Sequence, residues 1–325
     1  MPTREDQAVT PGGSEEAGPS HPMSMQERSD LSPTVVVERD AQRAEVEAGL
    51  DALDTPVYEY TPWWKSLVSS LVPPVIAVAL LVGVWQFLWS RAIWPEYQLP
   101  HPADVGSYMV ELFRTGQAFD VLWTSGHRAL IGFAVAIVVA TPLGLLIGTV
   151  QPVRAAIGPL VSGLQSLPSV AWVPAAILWF GIQPATIYAV ILLGAVPSIA
   201  NGLVAGLDQI PTILPRVGRA LGASRVELAR HVLLPAALPG FLAGLKQGWA
   251  FAWRSLMAAE LIAASPQLGL GLGALLDQAR ALNSMARVIT VIFLILAVGV
   301  LVDLIVFRPL ERRVLRARGL TGTSA

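Results

Sequence analysis

Three ionisable side chains, Lys246, Arg254 and Glu260, fall in or beside an apolar run, about Ala236 to Ala263, that is long enough to cross a bilayer. Charge at membrane depth is costly and normally faces a water-filled cavity or a partner. Lys246 lies about two to three helical turns from one end of the run. Arg254 lies near its middle, placed to attract an anionic solute moving along a path. Glu260 lies near the far end and is suited to pairing with an arginine. Arg254 and Glu260 are six residues apart and do not share a helical face, so pairing them requires another helix or a second copy of the chain. The alternative role for both is a structural ion pair at a subunit interface. A second polar set, Gln165, Ser166, Ser169 and Asn201, occurs in apolar runs that contain Pro168, Pro174 and Pro197. Proline removes a backbone donor and bends a helix. In a membrane such breaks are tolerated where neighbours or a cavity satisfy the freed groups. This set therefore either lines a pathway or holds helices together.

A third group is the arginine-rich stretch 208–234, which lies between two apolar runs. Pro211 and Pro215 set its entry, and Val217, Leu221, Val226, Leu228 and Val232 alternate with Arg219, Arg225, Glu227 and Arg230. Gly222 offers a bend between two short helices. A break is expected at Leu234-Pro235, where the apolar helix begins. Such a loop either docks a water-soluble partner or is a solvated basic connection that only fixes topology.

Other chemistries are excluded or unsupported. The chain has no cysteine, which removes disulfides, thiolate metal sites and a cysteine nucleophile. Its four histidines, His21, His101, His127 and His231, lack ligand spacing, so no metal site is expected. No cluster of His, Asp or Glu at membrane depth suggests an embedded enzyme. Gly269, Gly271 and Gly273 follow no strand, so they read as a close-packed turn and not as a nucleotide fingerprint. A phosphate-binding G-x4-G-K-[ST] loop is missing, and the chain is expected to bind no nucleotide.

These residues must be positioned by membrane helices. The chain of 325 residues is 54% hydrophobic and 14% charged, against about 25% charged in a soluble domain. Its net charge of −1 conceals an acidic segment, 1–60, of −9 and a basic remainder of +8. Residues 1–62 read as a disordered acidic tail, too poor in apolar residues to offset ordering entropy. It has no signal-peptide pattern. Trp63, Trp64 and Lys65 mark the entry to the first of six spans. The spans are expected at about 72–93, 129–150, 157–180, 186–207, 236–263 and 288–307. An amphipathic helix, Ala103 to Phe119, should lie on the membrane face. Gly144 and Gly148 form a small-xxx-small pair for close helix packing. The transmembrane domain is thus 63–310, followed by a basic tail, 311–325.

Six spans place both termini on one side. That side carries Lys65, Arg154, Arg216, Arg219, Arg225, Arg230, Arg308, Arg312, Arg313, Arg316 and Arg318, against Arg91, Arg114, Arg128, Arg280 and Arg287 opposite. The positive-inside rule makes the richer side, with the loop 208–234, cytoplasmic.

The loop also resembles a known pattern, EAA-x3-G-x9-I-x-LP of the permease subunits of bacterial ATP-binding-cassette importers. Here Gly222 is followed by nine residues and then Val232-Leu233-Leu234-Pro235. Arg216-Val217-Gly218 stands where the family has Glu-Ala-Ala. Leu167-Pro168-Ser169-Val170-Ala171-Trp172-Val173-Pro174, continuing to Gly181, is similar to the nitrate, sulfonate, taurine and bicarbonate branch. So are Thr141 to Gly148 and Ala258-Ala259-Glu260. The resemblance covers about residues 70–315. It implies an all-α, type I importer permease fold in the bacterial cell membrane, working as a homodimer. Its partners would be two cytosolic ATPase subunits, which hold ATP and magnesium, and an extracytoplasmic substrate-binding protein. Arg219, Leu221, Gly222, Ala223, Ser224, Arg225, Glu227, Leu234 and Pro235 would form the ATPase-coupling loop. Gln165, Ser169, Asn201, Arg254 and Glu260 are the candidates for the translocation path. The substrate implied is a small anion; a neutral or cationic metabolite such as a vitamin precursor is the alternative. An ion-coupled secondary transporter is a further alternative, although no inverted repeat is visible.

Overall fold

The computed structural model describes residues 45–46 and 63–317, and the acidic tail expected at 1–62 lies almost wholly outside them. The chain divides into two compact units, 1–75 and 76–325. Among the described residues every regular element is helical. Helix α1 runs Trp63–Ser90, α2 Pro102–Arg114, α3 Gln117–Thr149, α4 Gln151–Ser166, α5 Val173–Phe180 and α6 Pro184–Asp208. Then follow α7 Ile213–Ala220, α8 Arg225–Leu228, α9 Leu234–Ile262, α10 Leu272–Ala281, α11 Met285–Val302 and α12 Arg308–Ala317.

Among the described residues four continuous helical stretches are long and apolar enough to cross a membrane: Gln117–Thr149, Pro184–Asp208, Arg225–Ile262 and Met285–Ala317. The third expected span is not straight. Helix α4 and the segment Ser169–Phe180 meet at 100°. The residue before a proline is driven out of the helical region, and Leu167 is extended ahead of Pro168, at φ −75 and ψ 133. Pro174, by contrast, sits in the first turn of α5, where its missing N–H costs nothing, and Pro197 stays inside an unbroken α6. Of the three prolines expected to interrupt these spans, only Pro168 does so. Counted as one span, the bent pair makes five. A sixth rests on α1, whose apolar stretch Val75–Ser90 is shorter.

The core is the contact of α6 with α9 and α3. Helix α6 is buried around most of its circumference, through Ile187, Val190, Ile191, Ala195, Ile199 and Leu203. The lipid phase gives apolar helices no hydrophobic reason to associate, so close packing must hold them. Four glycines supply it. A Cβ on Gly202 would stand 2.2 Å from the Gly244 Cα, and one on Gly240 would stand 2.4 Å from the Gly206 Cα. Gly144 and Gly148 do the same between α3 and α6, against Ala200 and Leu207. Trp249 and Trp253 stack at 6.2 Å beside this core, and the Trp253 indole N–H donates to the Ile295 carbonyl at 3.2 Å, tying α9 to α11.

The expected amphipathic element, Ala103 to Phe119, forms as α2 but stops at Arg114; Gly116 turns the chain at φ +79, and Phe119 belongs to α3. His101 caps α2 by accepting from the Ala103 N–H at 3.0 Å, and Val105 and Leu112 are its buried face.

Candidate functional site

The arginine-rich loop folds as two short helices about a sharp turn. Leu221 caps the end of helix α7, its N–H donating to the Val217 carbonyl, and the chain then turns at Gly222 with φ +85. The Ala223 N–H closes the turn by donating to the Gly218 carbonyl at 3.1 Å. Ser224 starts α8 with a reciprocal cap. Its hydroxyl accepts from the Glu227 N–H at 3.3 Å, and its own N–H donates to the Glu227 carboxylate at 2.8 Å. The Ser224 backbone N–H, with its hydroxyl, holds the Glu227 carboxyl below the ordinary carboxylate range. Gly218 is buried because the Leu228 side chain fills the space where its Cβ would be. The loop is therefore a set piece with its own packing.

Its outer surface is apolar as well as basic. Leu221 is 83% exposed and Val226 75%, with Val217, Ile213 and Leu214 also exposed beside Arg219 and Arg225.

No break occurs at Leu234-Pro235. Helix α8 passes through a π turn, Ala229–Leu233, straight into α9, where Pro235 occupies the first turn. The wider turn accommodates a ring that an α-helical interior would exclude. The loop helix and the long apolar helix are one continuous element, Arg225–Ile262.

The membrane-depth candidates separate into four places. Gln165 and Asn201 are brought together, the Asn201 amide donating to the Gln165 carbonyl at 2.7 Å, with both half-buried. Ser169 lies at the start of the turn that joins the bent arms. Arg254 is on the exposed face of α9, its guanidinium over the Phe251 ring at 4.7 Å, and its Nε donates to the Ala250 carbonyl. It borders a groove of about 630 Å³ between α9 and α11, with Trp249, Trp253, Ile295 and Asp303. Lys246 borders the same groove and pairs with Asp303 at 2.8 Å and Glu311 at 3.7 Å. Glu260 is 2% exposed and meets neither Arg254 nor the groove. Its carboxylate accepts from Arg128 Nη1 at 2.8 Å, Ser125 Oγ at 2.7 Å and the Gly273 N–H at 3.1 Å.

Ser125, Arg128, Asp303 and the α6–α9 glycines were not singled out by sequence. The glycines carried a signal: Gly202 and Gly206, and Gly240, Gly244 and Gly248, recur at intervals of four. Ser125 and Arg128 share one helical face three residues apart, ahead of the apolar part of α3.

The family model described as binding-protein-dependent transport system inner membrane component matches residues 140–316. The taurine transport system permease protein of Escherichia coli is 28% identical over 212 residues, covering 64% of this chain and 77% of that protein. A nitrate import permease protein of Leptolyngbya laminosa is 30% identical over 244 residues, covering 72% and 85%. Among solved structures, an inward-facing form of the MetNI methionine ABC transporter superposes with a TM-score of 0.52 at 22% identity. It covers 60% of this chain and 95% of that one.

Proposed function

The chain belongs to the family of binding-protein-dependent transport system inner membrane components, and from that premise we propose that it is the transmembrane permease of an ATP-driven importer for a small anion. The observation that carries the reading is the loop around Gly222. It is a capped, exposed helical turn with an apolar and arginine-bearing surface, continuous with a helix long enough to cross the membrane. A push on that surface moves the whole of Arg225–Ile262 as one body. The partner that pushes is a cytosolic ATPase, which holds ATP and magnesium; this chain itself catalyses no hydrolysis. Both termini and the loop then face the cytoplasm, as the arginine distribution requires.

The anion reading is supported by Arg254 and by the taurine and nitrate permeases among the relatives. Arg254 is a cation on an exposed face of a membrane helix, with no carboxylate partner among the described residues. Such a charge requires a cavity or a second protein surface. In a homodimer both are supplied if the two copies enclose a path between them. Gln165, Ser169 and Asn201 contribute its neutral polar groups. A binding protein delivers the substrate from outside and sets much of the selectivity.

The test is reconstitution in liposomes with the ATPase and binding protein. ATP-dependent uptake of taurine, an alkanesulfonate, nitrate or bicarbonate is expected. Arg254→Ala should abolish uptake with assembly intact, and Arg254→Lys should retain part of it. Failure of the ATPase to bind would reject the importer reading; full uptake by Arg254→Ala would remove Arg254 from the path.

A further inference from the structure

The buried site around Glu260 is distinct from both the loop and the groove. It sits in the last turn of α9, the opposite end of the element that begins in the loop. Three polar strands of contact converge there. Arg128 of α3 bonds the Glu260 carboxylate through Nη1 and the Leu268 carbonyl through Nη2. Ser125 of α3 donates to the same carboxylate, while its oxygen accepts the Leu272 N–H at 2.8 Å. The Gly273 N–H donates to Glu260 directly. The segment from Leu268 to Gly273 is therefore gripped at three backbone groups by two charged side chains and one hydroxyl.

The fit admits nothing larger. A Cβ on Gly271 would stand 2.4 Å from the Glu260 Oε2, and one on Gly273 would stand 2.6 Å from the Glu260 Cβ and 2.7 Å from the Met257 carbonyl oxygen. A buried ion pair adds little net stability over apolar packing, but it is satisfied in one geometry only. Helix Arg225–Ile262 has 38 residues, roughly 57 Å at the α-helical rise, against about 30 Å of hydrocarbon. One end lies in the loop and the other ends in this site.

We infer that Glu260, with Arg128 and Ser125, is the joint through which the loop-driven helix moves the segment 266–281 at the opposite membrane face. Glu260 is a positioning residue here: it acts on the segment and touches no solute. The inference rests on the importer reading, because the movement it transmits originates at the ATPase. Displacement of the loop is carried along α9 to Glu260, and from there to Leu268, Leu272 and Gly273 through their backbone groups. Conversely, a protein docking on 266–281 from outside biases the loop and hence the ATPase.

The experiment uses the whole complex in nanodiscs with its binding protein. The chain has no cysteine, so Gln267→Cys or Arg230→Cys gives each copy one spin-label site, attached before assembly with the partners; both positions are exposed. In the parent, both labels should respond when the ATPase is trapped with ATP, and the loaded binding protein should stimulate hydrolysis. The paired replacement Arg128→Met with Glu260→Met removes both charges and leaves neither orphaned. Ser125→Ala is the milder cut, should the pair fail to assemble. Either variant should keep basal hydrolysis and the Arg230 response, lose the Gln267 response, and lose stimulation by about tenfold. A Gln267 response and stimulation equal to the parent's in an assembled variant would overturn the joint. No stimulation in the parent itself would instead overturn the importer reading beneath it.

Discussion

Gly222 allows a sharp quantitative test, because two costs that usually mix are separated there. Its φ is +85, and no heavy atom lies within 4 Å of where a Cβ would stand. A side chain at this position meets open space, so any penalty comes from the backbone. The left-handed conformation costs an ordinary L-residue about 1–2 kcal/mol. If the loop must hold this turn to seat on the ATPase, Gly222→Ala weakens ATPase binding by roughly fivefold to thirtyfold. Asparagine visits the left-handed region more readily and should lose less, whereas β-branched valine should lose most. The expected order of affinity is Gly, Asn, Ala, Val. The assay is titration of purified ATPase subunit against each permease variant in nanodiscs. Valine binding as tightly as glycine would refute the requirement for the turn. A harmless alanine beside a damaging tryptophan would show that volume, and not backbone conformation, is what the surface reads.

Further outcomes follow from the packing and the cap. Gly240→Val places atoms against the Gly206 backbone and should cost the upper part of about 1–3 kcal/mol, lowering the thermal midpoint in detergent, while Gly163→Ala, helical and with open space around it, should not lower the midpoint. Trp253→Phe deletes the donor to the Ile295 carbonyl at a buried site and should cost about 1 kcal/mol, read by the same melt; no change would mean the indole N–H carries no net stability. The Glu227 carboxyl is held low, so its support of the turn is complete above the unfolded value of about 4.3 and is lost as pH falls through the folded value. Exchange protection of the loop amides, corrected for intrinsic rates, should hold down to about pH 4, and Glu227→Gln should lower it at neutral pH. A loss well above pH 4 would refute the assignment of the protection to the Glu227 carboxylate.

Much of this architecture is written in local composition. Apolar runs of sufficient length located α6 and α9 within two residues of their observed ends, because a membrane helix needs about 20 consecutive apolar residues whatever its neighbours are. Gly222 was identified as a bend for the same reason, since few other residues take positive φ without strain. Hydropathy reads the hydrocarbon and not the helix, however. Helix α3 begins at Gln117, twelve residues before its expected start, through more than two turns that carry Asp120, Ser125 and Arg128. Pro168 bends the chain by 100°, whereas the helix runs on through Pro235 without a break, although each lies beside an apolar run. The difference is set by what surrounds the ring: an extended residue before one, a π turn before the other.

The sequence by itself determined that this is a membrane chain, which stretches are apolar enough to span, where the charged loop falls and which family its motifs resemble. Those properties depend on the solvent each segment prefers and on the short-range conformational limits of glycine and proline. The tertiary structure decided the partners. Glu260 finds Arg128 across 132 residues of chain, and Gly202 meets Gly244 at a helix crossing that only packing can choose. It also decided that the loop and the spanning helix are one rod. Composition sets how much a segment gains by entering the membrane, but the choice among apolar neighbours is made by shape and by the few polar groups that must be satisfied there.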